Sequence, residues 1–339
     1  MSLDDAMRRY AAQDDLRLHT PGHKGALDPR DLTELTDGSF PEKQLAEAER
    51  LIADAYGARH AQLLSCGSSQ GVKAAIYFAG GNGIIDVNSH RSVRDGFRLS
   101  GGRFTAVGRG DTVPITVDDI RAAYAPDIKT VVVTSPTYFG YCADIPAIKR
   151  FCDEKGLTLI VDGAHGAHFG FSPRLPQSAA ALPAVMNVSV HKTLCALTQS
   201  AVLLDNLDDA EHARLAEAVA LMGTTSPSYL LYASAENAVI KARKSAAEYD
   251  AVIDALTPLR RKYPFLKNDD PTRLVLDCAA AGSDARELNA RLARLGVMSE
   301  LVTERYIVFL FTAADTPDGV ARLDRALGKC FKERGKVST

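Results

Sequence analysis

The chain has 339 residues, enough for one large core or two unequal domains. Its 46% hydrophobic and 24% charged residues are ordinary for a globular protein, and 40 Lys and Arg against 42 Asp and Glu leave a net charge of −2. No basic stripe suggests nucleic acid as a partner, and no apolar run approaches the roughly 20 residues that span a bilayer.

The N-terminus, MSLDDAMRRYAAQDDLRLH, is charged and lacks the apolar stretch of a signal peptide. Cys66, Cys142, Cys152, Cys195, Cys278 and Cys330 form no CxxC pair and no metal-ligand cluster, which fits a reducing compartment. The expectation is a cytoplasmic protein with no metal and no membrane partner.

In chain order, LAEAERLIADAYG from about residue 45 reads as a helix and AQLLS (61–65) as a strand. The turn CGSSQG follows, then the helical GVKAAIYF. Strand-like IIDV (84–87), TVVVT (130–134), LTLIVD (157–162), VMNVSV (185–190) and SAVLL (200–204) alternate with helical segments such as IPAIKRFCDEKG. Short β-branched runs between amphipathic helices predict a mainly parallel sheet covered on both faces. After about residue 207 come long Ala-rich helices to roughly residue 266. RLVLDC (273–278), a helix around ARELNARLARLG, RYIVFLF (305–311) and a final helix around VARLDRALGKCF then predict a smaller α/β domain. The expected division is an N-terminal segment (1–44), a large domain (45–225), and linking helices with a small domain (226–339).

Four features stand at successive strand ends. Gly67, Ser68 and Ser69 lie between a strand and a helix, where backbone N–H groups and small hydroxyls suit a phosphate, although such a turn alone is only a turn. Asp162 closes LTLIVD and is followed by Gly163, Ala164 and His165. A carboxylate there lies where ligands bind in such sheets, or else caps a helix. Lys192 follows Ser189, Val190 and His191 at the end of VMNVSV, between apolar segments that disfavour a solvated charge. On an extended backbone Ser189 and His191 share a side and both address a phosphate. His90, after IIDV and Asn88-Ser89, is placed to stack on a flat ring. One cofactor explains all four: pyridoxal 5′-phosphate (PLP). A strand-end lysine forms a Schiff base with its aldehyde, and a carboxylate keeps its pyridine nitrogen protonated. A small residue at Ala164 lets the ring lie close. GxGxxG, GxxxxGK[ST] and HExxH are absent, and His165 and His168 have no third ligand nearby in sequence.

HTPGHKG (19–25), SPTYFG (135–140), VDGAHGAHF (161–169), SVHKTLCALTQSAVL (189–203) and TTSPSY (224–229) closely resemble the fold-type-I Orn/Lys/Arg decarboxylases. The resemblance runs from about residue 19 to 240 and is most specific from Ser189 to Gln199. It implies an aspartate-aminotransferase-like fold, PLP on Lys192, Asp162 at the ring nitrogen and His90 stacked. It also implies phosphate contacts from Ser68, Ser69, Ser189 and His191, and a homodimer or higher homo-oligomer in which Thr225 and Ser226 approach the neighbouring subunit's cofactor. The implied reaction releases CO2 from arginine, lysine or ornithine. Lys192 and His165 are the candidate proton donors, and Glu300 is a loosely aligned candidate for the substrate's distal cation. Val87 and Arg91 replace an Arg and a Lys of the family motif, and Gly163 stands where Glu is common. The chain is expected to be a short form without the family's further C-terminal domain. The alternatives are an aminotransferase or lyase, for which Arg273 or Arg305 would grip the α-carboxylate, and a PLP-binding regulatory subunit.

Overall fold

A computed structural model describes residues 2–334 except Asp14 and Asp111, with the side chains after Phe331 left aside. The first element, α1 (Leu3–Ala11), was not foreseen: only Leu3 and Met7 of its charged sequence are buried. Then come α2 (Glu42–Tyr56), β1 (His60–Leu63), α3 (Ser68–Ala79), β2 (Asn82–Asp86), α4 (Arg91–Ser100), β3 (Phe104–Val107), α5 (Val117–Ala123) and β4 (Ile128–Thr134). The chain continues with α6 (Ile145–Lys155), β5 (Thr158–Asp162), β6 (Val185–Val188), α7 (Val190–Thr193), β7 (Val202–Asp205), α8 (Asp209–Leu221) and α9 (Tyr229–Ala242). The remainder is α10 (Ala246–Lys262), β8 (Arg273–Asp277), α11 (Ala285–Arg294), β9 (Leu301–Val302), β10 (Tyr306–Leu310) and α12 (Pro317–Arg334).

Seven strands form one sheet in the order β1-β7-β6-β5-β4-β2-β3. All run parallel except β7, which is antiparallel to both its neighbours. Burial on both faces explains the unbroken apolar strands. Val131, Val133, Leu159, Val161 and Leu204 pack into one core, while Val132, Ile160 and Leu203 pack into the core on the opposite face. Local chemistry delimits the helices. Thr116 and Asp119 make a capping box for α5, Asp144 caps α6, and Gly156 ends α6 in the left-handed region at φ 64°.

β8, β10 and β9 form a separate antiparallel sheet. Leu274, Leu276, Ile307 and Phe309 pack on one side with Leu256, Leu288, Leu292 and Leu327. Val275 and Val308 pack on the other with Phe139 of the large domain. The change of core falls inside α10, where Tyr249 and Ile253 join the large core and Val252 and Leu256 join the small one.

One expectation at the site needs correction. The strand expected through Val190 stops at Val188, and Val190–Thr193 form one helical turn. The cause is the neighbouring strand: β7 pairs only from Val202, opposite Val188, so the ladder ends there. The chain then closes a turn through Leu194 N–H on Val190 O. Ser189, His191 and Lys192 therefore project from a helical turn and its cap, not from extended backbone.

Candidate active site

The C-terminal ends of β2, β4, β5 and β6 and the turn between β1 and α3 surround a cavity of about 380 Å³. Open parallel sheets bind ligands at this edge, where helix N-termini and strand-end side chains converge. Ser68, Ser69, His90, Asp162, Ala164, His165, Ser189, His191 and Lys192 all line it. Glu300 stands beyond the wall: Tyr138, which lines the cavity, donates its hydroxyl to Glu300 Oε1 at 2.7 Å. Thr225 and Ser226 are exposed and lie apart from the cavity of their own chain.

The turn CGSSQG presents an open helix N-terminus. Gly67 has φ 72°, in the left-handed region that favours glycine, and no side chain caps α3. The Ser68 and Ser189 hydroxyls, 121 residues apart, meet in direct hydrogen-bonding contact. His191 Nδ1 lies 3.1 Å from Ser200 O, and because a carbonyl only accepts, Nδ1 carries a proton.

Asp162 is 4% exposed, and its Oδ1 accepts from Asn187 Nδ2 and from the Ala164 N–H, each at 3.2 Å. Parallel pairing sets Thr134 and Asn187 on either side of it. Neither neighbour was anticipated. Thr134 could have been found from its own place at the end of TVVVT, whereas Asn187, inside an apolar run, matters only through strand order. The Thr134 hydroxyl is buried without a hydrogen-bond partner in the cavity wall. At Gly163 a Cβ would collide with the Met186 side chain, so Met186 occupies the room that a larger residue would need.

Lys192 Nζ lies 3.1 Å from His165 Nε2. Burial lowers the Lys192 pKa and nearby Arg273 adds to the effect, while Asp162 and Glu300 oppose it. Burial, reinforced by Lys192, Arg273 and His90, holds His165 well below the usual histidine range. His90 caps α4, its Nδ1 accepting from the Ser92 N–H at 3.2 Å. Asn88, Ser92 and Tyr138 complete the polar wall. Tyr138 belongs to SPTYFG, a stretch notable in sequence but not assigned a role there.

The residues fit PLP on the structure's own terms. An uncapped helix N-terminus with two convergent serines suits a phosphate, a buried carboxylate faces the cavity from mid-sheet, and a desolvated lysine stands beside it. An unsatisfied buried hydroxyl, Thr134 Oγ1, leaves a polar contact for a ligand. A second cluster, His60, Asp205 and His212, brings donor atoms within 4.8 Å of one another at the other edge of the sheet. There His212 Nδ1 meets Asp205 Oδ2 at 2.9 Å and the two imidazoles stack, so the buried carboxylate already has its counter-group.

The fold is that of the fold-type-I PLP enzymes. Residues 109–263 match the family model for the Orn/Lys/Arg decarboxylase major domain. The arginine decarboxylase of Bacillus cereus is 27% identical over 95% of this chain and 80% of its own length. That of Halalkalibacterium halodurans is 31% identical over 68% of this chain and 52% of its own length. The lysine decarboxylase structure from Francisella novicida superposes with a TM-score of 0.82 at 20% identity, covering 99% of this chain. The chain spans about 60% of the length of that protein. A structure of SPT with PLP shares the fold at a TM-score of 0.72 and 16% identity. Residues 109–263 are thus similar to the Orn/Lys/Arg decarboxylase major domain, and the relatives extend that similarity over most of the chain. Among its described residues no helix is long and apolar enough to cross a membrane.

Proposed function

We propose that this chain binds PLP through Lys192 and decarboxylates a basic amino acid, arginine, lysine or ornithine, to the corresponding amine. The observation that carries the reading is the desolvated Lys192 amine in one cavity with the buried Asp162 carboxylate and the open N-terminus of α3.

When bound, PLP supplies an electron sink for breaking a bond at the substrate α-carbon. Asp162, oriented by Asn187 and the Ala164 N–H, would hold the positive charge on the ring nitrogen. Ser68, Ser69, Ser189, His191 and the first N–H groups of α3 hold the phosphate. His90 and Ala164, both in the cavity wall, would hold the ring, and the lowered basicity of Lys192 keeps its amine available as a nucleophile. Glu300, just beyond the wall and held by Tyr138, would offer a carboxylate to the distal cation of a basic substrate.

Two arginines bear on the aminotransferase alternative. Arg273 is fully buried, donating to Tyr138 O at 2.7 Å and to His165, and Arg305 holds Asp277 at 2.6 Å. Neither lines the cavity, so neither is poised to clamp an α-carboxylate. That supports loss of carboxylate over its retention. The family's homodimer would place Thr225 and Ser226 of one subunit at the partner's cofactor, in keeping with their exposure here. We assign the protein to the cytoplasm, a reading supported by its six free cysteines, which suit a reducing compartment.

The deciding experiment incubates the pure protein and PLP with arginine, lysine and ornithine separately. CO2 and an amine from one of the three are expected. A keto acid, or CO2 from only neutral or acidic amino acids, overturns the reading.

A further inference from the structure

Both ring nitrogens of His165 are engaged. Nε2 lies 3.1 Å from Lys192 Nζ, and Nδ1 lies 3.2 Å from Arg273 Nη1, a residue 108 positions away on β8 of the small domain. A guanidinium only donates and keeps its protons in proteins, so Nδ1 is the acceptor. A neutral imidazole with a bare Nδ1 carries its proton on Nε2. That proton points at Lys192, whose nitrogen accepts it as the free amine.

Accepting the assignment of Lys192 as the reactive lysine, we propose that Arg273 is a positioning residue that locks His165 as a fixed Nε2–H donor and leaves Lys192 Nζ to move the proton. To act as an acid, His165 must first become imidazolium, which puts a proton on Nδ1. To act as a base it must bare Nε2, which also moves the proton to Nδ1. Either way an N–H would face the Arg273 N–H in a buried space.

Arg273 is held on more than one side. It is fully buried, donates from Nη1 to Tyr138 O at 2.7 Å, and has Nε 3.9 Å from Asp270 Oδ2. Asp270 is itself held by the Thr272 hydroxyl at 2.6 Å and by His168 at 3.3 Å. Burial pushes the Asp270 carboxyl up, but His168 and Arg273 outweigh it and hold it well below the usual range, so the anion that anchors Arg273 stays charged.

The other groups facing His165 do not reverse this. Lys192, Arg273 and His90 each disfavour imidazolium, and Asp270 favours it as a smaller influence. The Tyr138 ring, 4.5 Å from the His165 ring between centroids, closes a further side. Of His165, Arg273 and Lys192, the lysine is then the one able to gain and lose a proton. As an ammonium it gives one proton to the electron pair left on the α-carbon when CO2 departs. An N–H bond breaks, a C–H bond forms, and the amine is regenerated.

The test uses the full chain without cofactor. The protein has eight histidines, so ¹⁵N-imidazole spectra of uniformly histidine-labelled protein are tractable, and a His165→Gln variant assigns the residue. Wild-type His165 should show one Nε2–H tautomer, unchanged from about pH 5.5 to about pH 8.5, against an ordinary histidine pKa of about 6.5. Arg273→Met should populate an Nδ1-protonated form that grows as pH falls, and Arg273→Lys, which keeps a donor, should suppress it. An Nδ1–H tautomer in the wild type, titration of wild-type His165 within that range, or an Arg273→Met spectrum identical to wild type overturns the proposal. Should Arg273→Met fail to fold by circular dichroism, the wild-type spectrum still decides. Attachment of PLP to a different lysine would refute the reading of the site while leaving the tautomer result standing, so the two failures are distinguishable.

Discussion

Replacing Asp162 with Asn separates holding the cofactor from activating it. Asp162 Oδ1 accepts two N–H groups at 3.2 Å, and the carbonyl oxygen of Asn can accept both in the same place. Stability should therefore change by less than about 1 kcal/mol, because no buried donor loses its partner. The phosphate contacts through α3, Ser68 and Ser189 are untouched, so PLP should still bind. What changes is the second oxygen, which becomes an NH2 that donates where an acceptor was required. A hydrogen bond to a charged group contributes about 1.5–3 kcal/mol, and a buried donor left facing another donor costs about 1–3 kcal/mol. Together these predict a fall in turnover of about a hundred- to ten-thousand-fold. Removing the Asp162 charge also removes an influence that raises the Lys192 pKa, so that lysine should become still less basic. PLP binding by absorbance titration, CO2 release and urea unfolding measure the three quantities independently. A variant that binds PLP and turns over at near wild-type rates would refute the role given to Asp162, and one that unfolds would make the residue structural instead.

Borohydride reduction of the PLP-loaded protein and peptide mapping should find the pyridoxyl group on Lys192, and recovery on another lysine would sink the central assignment. Glu300→Gln and Tyr138→Phe should each raise KM for the basic substrate about five- to thirtyfold while changing kcat less, as loss of a solvent-accessible charged contact of about 1–2 kcal/mol predicts; an unchanged KM in both would remove the pair from substrate recognition. Lys192→Ala and the triple variant Thr224→Ala, Thr225→Ala, Ser226→Ala should each be inactive alone and regain up to half-site activity when mixed, whereas mixed dimers that form and stay inactive would exclude a shared site. Burial raises the Glu49 carboxyl from 4.5 to about 7, against a hydrogen bond from the Leu63 N–H. Its folded pKa lies above its unfolded one, so the neutral acid favours the fold, and that stability is present below about pH 4.5 and lost as pH rises through about 7. Glu49→Gln should accordingly match the wild type near pH 5 and exceed it by up to about 3 kcal/mol at pH 8, since each tenfold change in a protonation equilibrium is worth about 1.4 kcal/mol. Equal melting temperatures at pH 8 would contradict the burial of that carboxylate.

The sequence by itself determined most strands of the large sheet and most of the cavity wall. A parallel strand buried on both faces must be apolar at every position, so TVVVT and LTLIVD announce themselves, and a polar residue at the end of such a run marks the sheet edge where ligands bind. Asp162, Lys192, His90 and the turn at Ser68 were legible on that ground. Elements stabilised chiefly by contacts with distant chain were not. Leu3 at the start of α1 donates its N–H to Glu236, 233 residues away, and β3 is an edge strand with little of its surface buried. Only the tertiary structure decided which neighbours orient the chemistry. Asn187 reaches Asp162 because β5 and β6 pair in one particular register. Tyr138 meets Glu300 across 162 residues, and Arg273 meets His165 across 108, because the small sheet packs Val275 and Val308 against Phe139. Periodicity reports which face of an element is buried. It carries no information about which polar group from another element arrives there, and that arrival sets the protonation of His165 and the company of Lys192.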